Sequence, residues 1–180
     1  METKIFGNKK ITIRKLSKSD LKNAKKFQDF INSLVKEGAQ ITIAKKKSLQ
    51  EEINWLNSHL KKIKEAKGVF LIAEAENKLV GNTEITLNEG RQSHIGMLGI
   101  SIRKDYRGIG LGKYLMAEIL KLAKKKLKPK PKIVRLSVFP GNKPAIALYK
   151  KFGFKTVARI PKQIQYKEKF VDEIIMLKEL

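Results

Sequence analysis

The chain has 180 residues, 42% hydrophobic and 32% charged, which suits one domain with a single core and argues against disorder. It contains no cysteine, which excludes disulfides, thiolate metal sites and a cysteine nucleophile. No stretch approaches the roughly 18 apolar residues of a membrane span, and no apolar leader is seen, so the expectation is a soluble, cytoplasmic protein. The net charge of +23 is spread along the chain without interleaved aromatics, so a lysine-rich proteome is favoured over nucleic-acid binding.

Lys10 to Leu16 alternates apolar and polar side chains, the period of a half-buried strand, and Ser17 to Asp20 then offers helix-capping oxygens. Leu21, Ala24, Phe27, Ile31, Leu34 and Val35 recur at helical spacing up to Gly38. Ser48 and Glu51 form a capping box for a second helix carried by Ile53, Leu56, Leu60 and Ile63, with Trp55 beside that face as a packing residue. Val69 to Ala75 and Leu79 to Leu87 read as a hairpin, and Ile95 to Ile102 as a third consecutive strand.

After Arg107 the period lengthens, and Leu111, Leu115, Ile119, Leu122 and Ala123 share one helical face. The lysine-rich run Lys124 to Lys132 lies at that helix's C-terminus, where cations are favourable, and reads as a solvated connection. Ile133 to Phe139 is a further strand, Ala145 to Phe152 a short helix, and Phe154 to Ile160 with Phe170 to Leu177 the last two strands. One domain over residues 1–180 is expected.

Two segments carry chemistry. Arg107-Gly108-Ile109-Gly110-Leu111-Gly112-Lys113 joins a strand directly to a helix. Its glycines let the backbone approach a ligand, the new helix presents free N–H groups, and Arg107 and Lys113 add charge, so the turn is an anion cradle fit for a pyrophosphate. It lacks the Gly-Lys-Ser/Thr of a nucleoside-triphosphate loop. In the second segment Asn142 can cap the helix that Pro144 begins, and Tyr149 shares a face with Ala145, Leu148 and Phe152. Taken alone, these two read as a cap and a core tyrosine.

Together, Arg107-x-x-Gly110-x-Gly112 and, about 30 residues on, Asn142…Ala145…Leu148-Tyr149-x-Lys151-x-Gly153-Phe154 resemble the GCN5-related N-acetyltransferase superfamily, closely over Val80 to Phe154. The resemblance implies an α/β fold: a mixed, mostly antiparallel, splayed sheet of about seven strands with helices on both faces. It implies acetyl-CoA as cosubstrate. The backbone N–H of Ile100 falls where the family polarises the acetyl carbonyl, and that of Ile102 where it pairs with pantetheine. Residues 107–113 would hold the pyrophosphate, Asn142 the pantetheine arm, and Tyr149 would protonate the departing sulfur.

A base is less well defined. Several relatives place a glutamate four residues before the Ile100 position, where this chain has Gly96. Glu84 is the substitute, directly or through water, and His94 the second choice. No metal constellation is apparent. Three functions remain open: an N-acetyltransferase acting on a small amine, a protein α-amine or a lysine; a transferase of longer acyl groups; and a non-catalytic acyl-CoA-binding or nucleic-acid-binding protein of the same fold. A homodimer is a further expectation of the resemblance.

Overall fold

Apolar alternation through the middle of the chain builds one sheet with both faces covered, seen in a computed structural model that describes residues 1–180. The strands are β1 (Glu2–Phe6), β2 (Lys9–Lys15), β3 (Gly68–Ala75), β4 (Lys78–Leu87), β5 (Ile95–Ile102), β6 (Ile133–Val138), β7 (Lys155–Tyr166) and β8 (Lys169–Glu179). They lie in the order β1-β2-β3-β4-β5-β6-β8-β7. Every neighbouring pair is antiparallel except β5 and β6. The helices are α1 (Ala24–Glu37), α2 (Leu49–Lys64), α3 (Leu111–Lys126) and α4 (Lys143–Lys151).

β3 shows how the two faces are filled. Val69, Leu71, Ala73 and Ala75 point into a cluster with Leu111, Leu115, Met116 and Ile119 of α3, while Phe70 and Ile72 point the other way, onto Phe27, Phe30, Leu34 and Leu56 of α1 and α2. A strand buried on both faces loses the simple in/out alternation of a half-exposed one. α1 stops at Gly38, whose φ of +67° gives the left-handed cap that a side chain would resist.

Two expectations need correction. The sheet has eight strands rather than about seven, because Glu2–Phe6 pairs with β2 through a Gly7 turn. Four of its five residues are exposed, so it carries no burial pattern to read. The last two strands also run longer than Phe154–Ile160 and Phe170–Leu177. β7 continues past Pro161 through an irregularity between Ile160 and Ile164, at which Lys162 takes a φ of +55°. Proline is tolerated there because β7 is the edge strand, and Asp172 holds the bulge by accepting from Lys162 N–H (3.1 Å) and Arg159 Nε (2.6 Å). No helix is long and apolar enough to cross a membrane.

The lead into α1 rests on a buried ion pair. Arg14 donates to both Asp20 oxygens at 2.9 and 2.7 Å and to Glu74 at 2.8 Å, and Asp20 also accepts from Ser17 N–H at 2.8 Å. Burial pushes the Asp20 carboxyl up, but its bonds from Arg14 and Ser17 outweigh that and hold it below the ordinary value. The stability it contributes is therefore present above the usual aspartate pKa and lost as pH falls through the lowered one. Asp20→Asn should lower unfolding stability at neutral pH by about 3 kcal/mol. In urea titrations across pH, the loss should begin to shrink below about pH 4, where Asp20 of the unfolded chain takes up a proton, and go on shrinking until the folded carboxyl is protonated too.

Candidate active site

β5 and β6 begin side by side, pairing Ile95 with Ile133, Gly96 with Val134 and Met97 with Arg135, and then separate. Beyond that point β5 is held only by β4, up to Ile102 opposite Gly81, and β6 only by β8. The backbone edges facing the gap have no strand partner. Arg103 N–H bonds Val80 O on the β4 side. Alternate amides of a strand point to opposite edges, so the N–H groups of Ile102 and Ile100 face the gap.

The chain leaves β5 through Arg103 to Gly110 and enters α3, whose N-cap is Gly110 with a φ of +91°. Tyr114 N–H is the first to return into the helix, onto Gly110 O. The amides ahead of it are left free, at the positive end of the helix dipole. A cavity of about 660 Å³ opens over them, lined by Ile100, Ile102, Arg107, Gly108, Gly110, Gly112, Lys113, Asn142, Tyr149 and Lys151 among others. Gly112 is needed for space: a Cβ there would lie 3.3 Å from Ile102 Cδ1 and 3.5 Å from Leu148 Cδ2.

Ile109 and Leu111 do not line this cavity. The Ile109 side chain packs against the Gly7 turn, and Leu111 is 1% exposed in the core, so only their backbone groups belong to the cradle. Arg107 donates Nε to Ile102 O at 2.8 Å and pairs through its guanidinium with Glu37 at the end of α1. Glu37 itself is in the cavity wall, so a carboxylate of the protein already engages the cation that an anion would meet.

A second cavity, of about 550 Å³, lies between α1, α2 and the sheet. Gln40, Ile41, Ile100, Ser101, Asn142 and Tyr149 line both cavities and mark their junction. Asn142 accepts from Ala145 N–H at 3.3 Å, so it does cap α4. Tyr149 is 7% exposed, and burial pushes its phenol up to about 12.

The two cavities differ in charge. Arg107, Lys113 and Lys151 line the first, whereas Glu51, Glu52 and Glu84 line the second with Lys47 as its one cation. Glu84 lies opposite Gly99 in the β4–β5 ladder, and its Oε2 is 2.6 Å from His59 Nε2 and has no other partner. His59 Nδ1 is 2.8 Å from Trp55 O. With an acceptor at each nitrogen the ring is best served by two protons. Burial opposes that charge, but the Glu84 contact outweighs it and raises the His59 pKa.

Glu52 is 7% exposed and makes no ion pair, so burial pushes its carboxyl up to about 7. Glu52 and His59 were not picked out by the sequence. The available signal was that both share the inward side of α2 with Leu56, at i, i+4 and i+7. His94, the second-choice base, lines neither cavity; its carbonyl is occupied by Lys132 and Ile133 N–H, where β6 begins.

Known proteins share this fold. The profile of the Acetyltransferase (GNAT) family matches residues 34–154. The L-amino acid N-acetyltransferase AaaT of Escherichia coli (strain K12) is 29% identical over 107 residues, 59% of this chain and 65% of that protein. The chain thus spans just under two thirds of the length of this curated relative. An acetyltransferase of the GNAT family from Streptococcus pneumoniae superposes with a TM-score of 0.81 at 26% identity, covering 94% of this chain and 99% of that one. The yncA protein of Salmonella typhimurium, solved with its cofactor acetyl-CoA, superposes at 0.78 with 17% identity and 94% of each chain covered. With the family profile spanning 121 of 180 residues, through the splayed strands, the glycine-rich cradle and Tyr149, this chain belongs to the GNAT acetyltransferase family.

Proposed function

We propose that the chain is an N-acetyltransferase that uses acetyl-CoA and passes the acetyl group to a primary amine by direct attack within a ternary complex. The observation that carries this reading is the meeting of a cationic and an acidic cavity at Ile100 and Tyr149. Free amides at the start of α3, with Arg107 and Lys113, suit a pyrophosphate, and the unpaired edge of β5 suits an amide-bearing arm. Acetyl-CoA supplies a thioester carbonyl that is already activated. Its use is the reason to place the protein in the cytoplasm.

In this reading Ile100 N–H donates to the acetyl oxygen and stabilises the charge that develops there. Tyr149, protonated at any working pH, delivers a proton to the leaving sulfur. The amine approaches from the acidic cavity. Glu84, the residue expected to take its proton, has its Oε2 set against His59 Nε2. Glu52 is the better base, because a carboxyl raised to about 7 gains a proton readily near neutrality.

Tyr149→Phe should lower kcat at least tenfold and leave acetyl-CoA affinity within about twofold in calorimetry, whereas Lys113→Glu should weaken acetyl-CoA binding about tenfold or more. Equal loss of affinity in both variants would refute these roles. Glu37→Gln frees Arg107 and should tighten acetyl-CoA binding by about three- to fivefold in the same titration; weaker binding would show that the ion pair organises the site rather than competing for it.

Glu52 also predicts a pH dependence. A carboxyl raised by folding binds its proton more strongly folded than unfolded, so its contribution to stability falls as pH rises from the usual glutamate range through about 7. Glu52→Gln should therefore be more stable than wild type at pH 8, with the advantage shrinking toward pH 5, as read by thermal melts. The acid limb of kcat/KM near pH 7 should vanish in Glu52→Gln and persist in Glu84→Gln; the reverse pattern would return the base to Glu84.

A further inference from the structure

The acidic cavity has a composition that narrows its guest. Phe27, Phe30, Ile41, Trp55 and Phe139 make most of its wall apolar and aromatic. Glu52, with 7% exposure and no ion pair, is a buried carboxyl in search of a partner. Glu84 adds a second carboxylate facing the same space. In a chain with only 17 acids against 40 lysines and arginines, three of the acids line this one cavity.

What the wall lacks is equally informative. Its one cation, Lys47, is paired with Glu51 at 2.8 Å, so no free positive group stands ready for a substrate carboxylate. Bringing an α-carboxylate among Glu52 and Glu84 would place like charges together in a desolvated space. On the side nearest β7 and β8, Tyr166 Oη donates to Gly38 O at 2.6 Å and its ring packs edge-on against Phe139, at 5.3 Å, in the cavity wall. The cavity, at about 550 Å³, has the size of a small-molecule site.

We propose that the acceptor is a small, apolar primary amine without a carboxylate, its ammonium held by Glu52 and Glu84 and its body by Phe27, Phe30, Ile41 and Trp55. This rests on the acetyltransferase reading for the transfer step, in which the amine nitrogen bonds to the acetyl carbon as the carbon–sulfur bond breaks. The bound ammonium first gives one proton to Glu52, the sulfur takes its proton from Tyr149, and the second proton that the nitrogen sheds after attack returns through water to the Tyr149 phenolate. A cation against aromatic faces and buried carboxylates gains from both. An aliphatic polyamine leaves the aromatic wall unused, and a free amino acid brings the wrong charge.

Trp55 is the only tryptophan of the chain and lines the cavity, so its fluorescence reports occupancy without any acetyl transfer. The probes are phenethylamine, L-phenylalanine, spermidine and a tetrapeptide beginning with phenylalanine. Each is titrated against the protein and then assayed for CoA release from acetyl-CoA. Phenethylamine should shift Trp55 fluorescence saturably and bind at least tenfold more tightly than the other three, and should give the highest kcat/KM. Glu52→Gln, which keeps the shape of the side chain, should weaken phenethylamine binding about tenfold while its melt stays cooperative.

Comparable or tighter binding of phenylalanine, spermidine or the tetrapeptide overturns the proposal, as does the failure of phenethylamine to saturate. Saturable, selective phenethylamine binding with no CoA release, in a protein that binds no acetyl-CoA by calorimetry, upholds the amine class and brings down the acetyltransferase reading alone.

Discussion

The site exists because two strands that start as neighbours are each bound more extensively to someone else. β5 keeps seven residues paired to β4, Gly81 to Leu87 against Ile102 to Gly96, and β6 keeps six paired to β8. Their own parallel pairing ends after three. A strand edge without a partner is costly when buried, so the gap must be served by something that can hydrogen-bond. The elements that border it follow from that need: α3 starts where β5 ends, and α4 follows β6. Gly112 lets the start of α3 come within contact of Ile102 and Leu148, bringing strand, cradle and α4 around one cavity.

Charge is then divided across the gap. A protein of +23 would attract any anion weakly at its surface, but only around α3 do free amides, Arg107 and Lys113 converge on one cavity. On the far side of Tyr149 the sign reverses. Glu84 is half-buried with His59, itself anchored to Trp55 O, set against it. Glu52 has no such partner and so holds its proton more tightly. Two carboxyl groups in one cavity thus have different surroundings, one set against an imidazole and one without a partner, and in the proposed reading this difference separates the amine's anchor from its proton acceptor.

The sequence reveals those parts of the fold whose pattern is local. The strands of the central meander follow from their apolar runs, α3 from its stripe after Arg107, and the end of α1 from Gly38. The cradle is legible because glycines, basic residues and a helix start are contiguous in the chain. β1 is not, since its exposed side chains leave no trace, and its pairing partner is fixed by a turn. The continuation of β7 beyond Pro161 is hidden because an edge strand accepts a proline that an inner strand would reject. Of the acidic pair, Glu84 is named from the sequence, while Glu52 and the His59 contact are missed for a different reason. Glu52 sits beside the capping box of α2, where acids are ordinary, and only packing of α2 on the sheet turns it inward. His59 and Glu84 are 25 residues apart on different elements, and no spacing rule joins them.

The chemistry left to the chain is constrained by what stands at the junction. The absence of cysteine rules out a thioester passed to a protein thiol. Ser101 and Ser137 lie in the wall, but the one histidine nearby is turned to Glu84 and Trp55, so no imidazole is free to activate either serine. The transfer proposed above, made without a covalent relay, would need both substrates at once, each in its own cavity, with Tyr149 beside the leaving group. Gln40 and Ile41, between α1 and α2, contribute to the walls of both cavities. Ligands in the two cavities therefore meet the same two side chains, and in the proposed reading the amine packs against a wall that acetyl-CoA also touches.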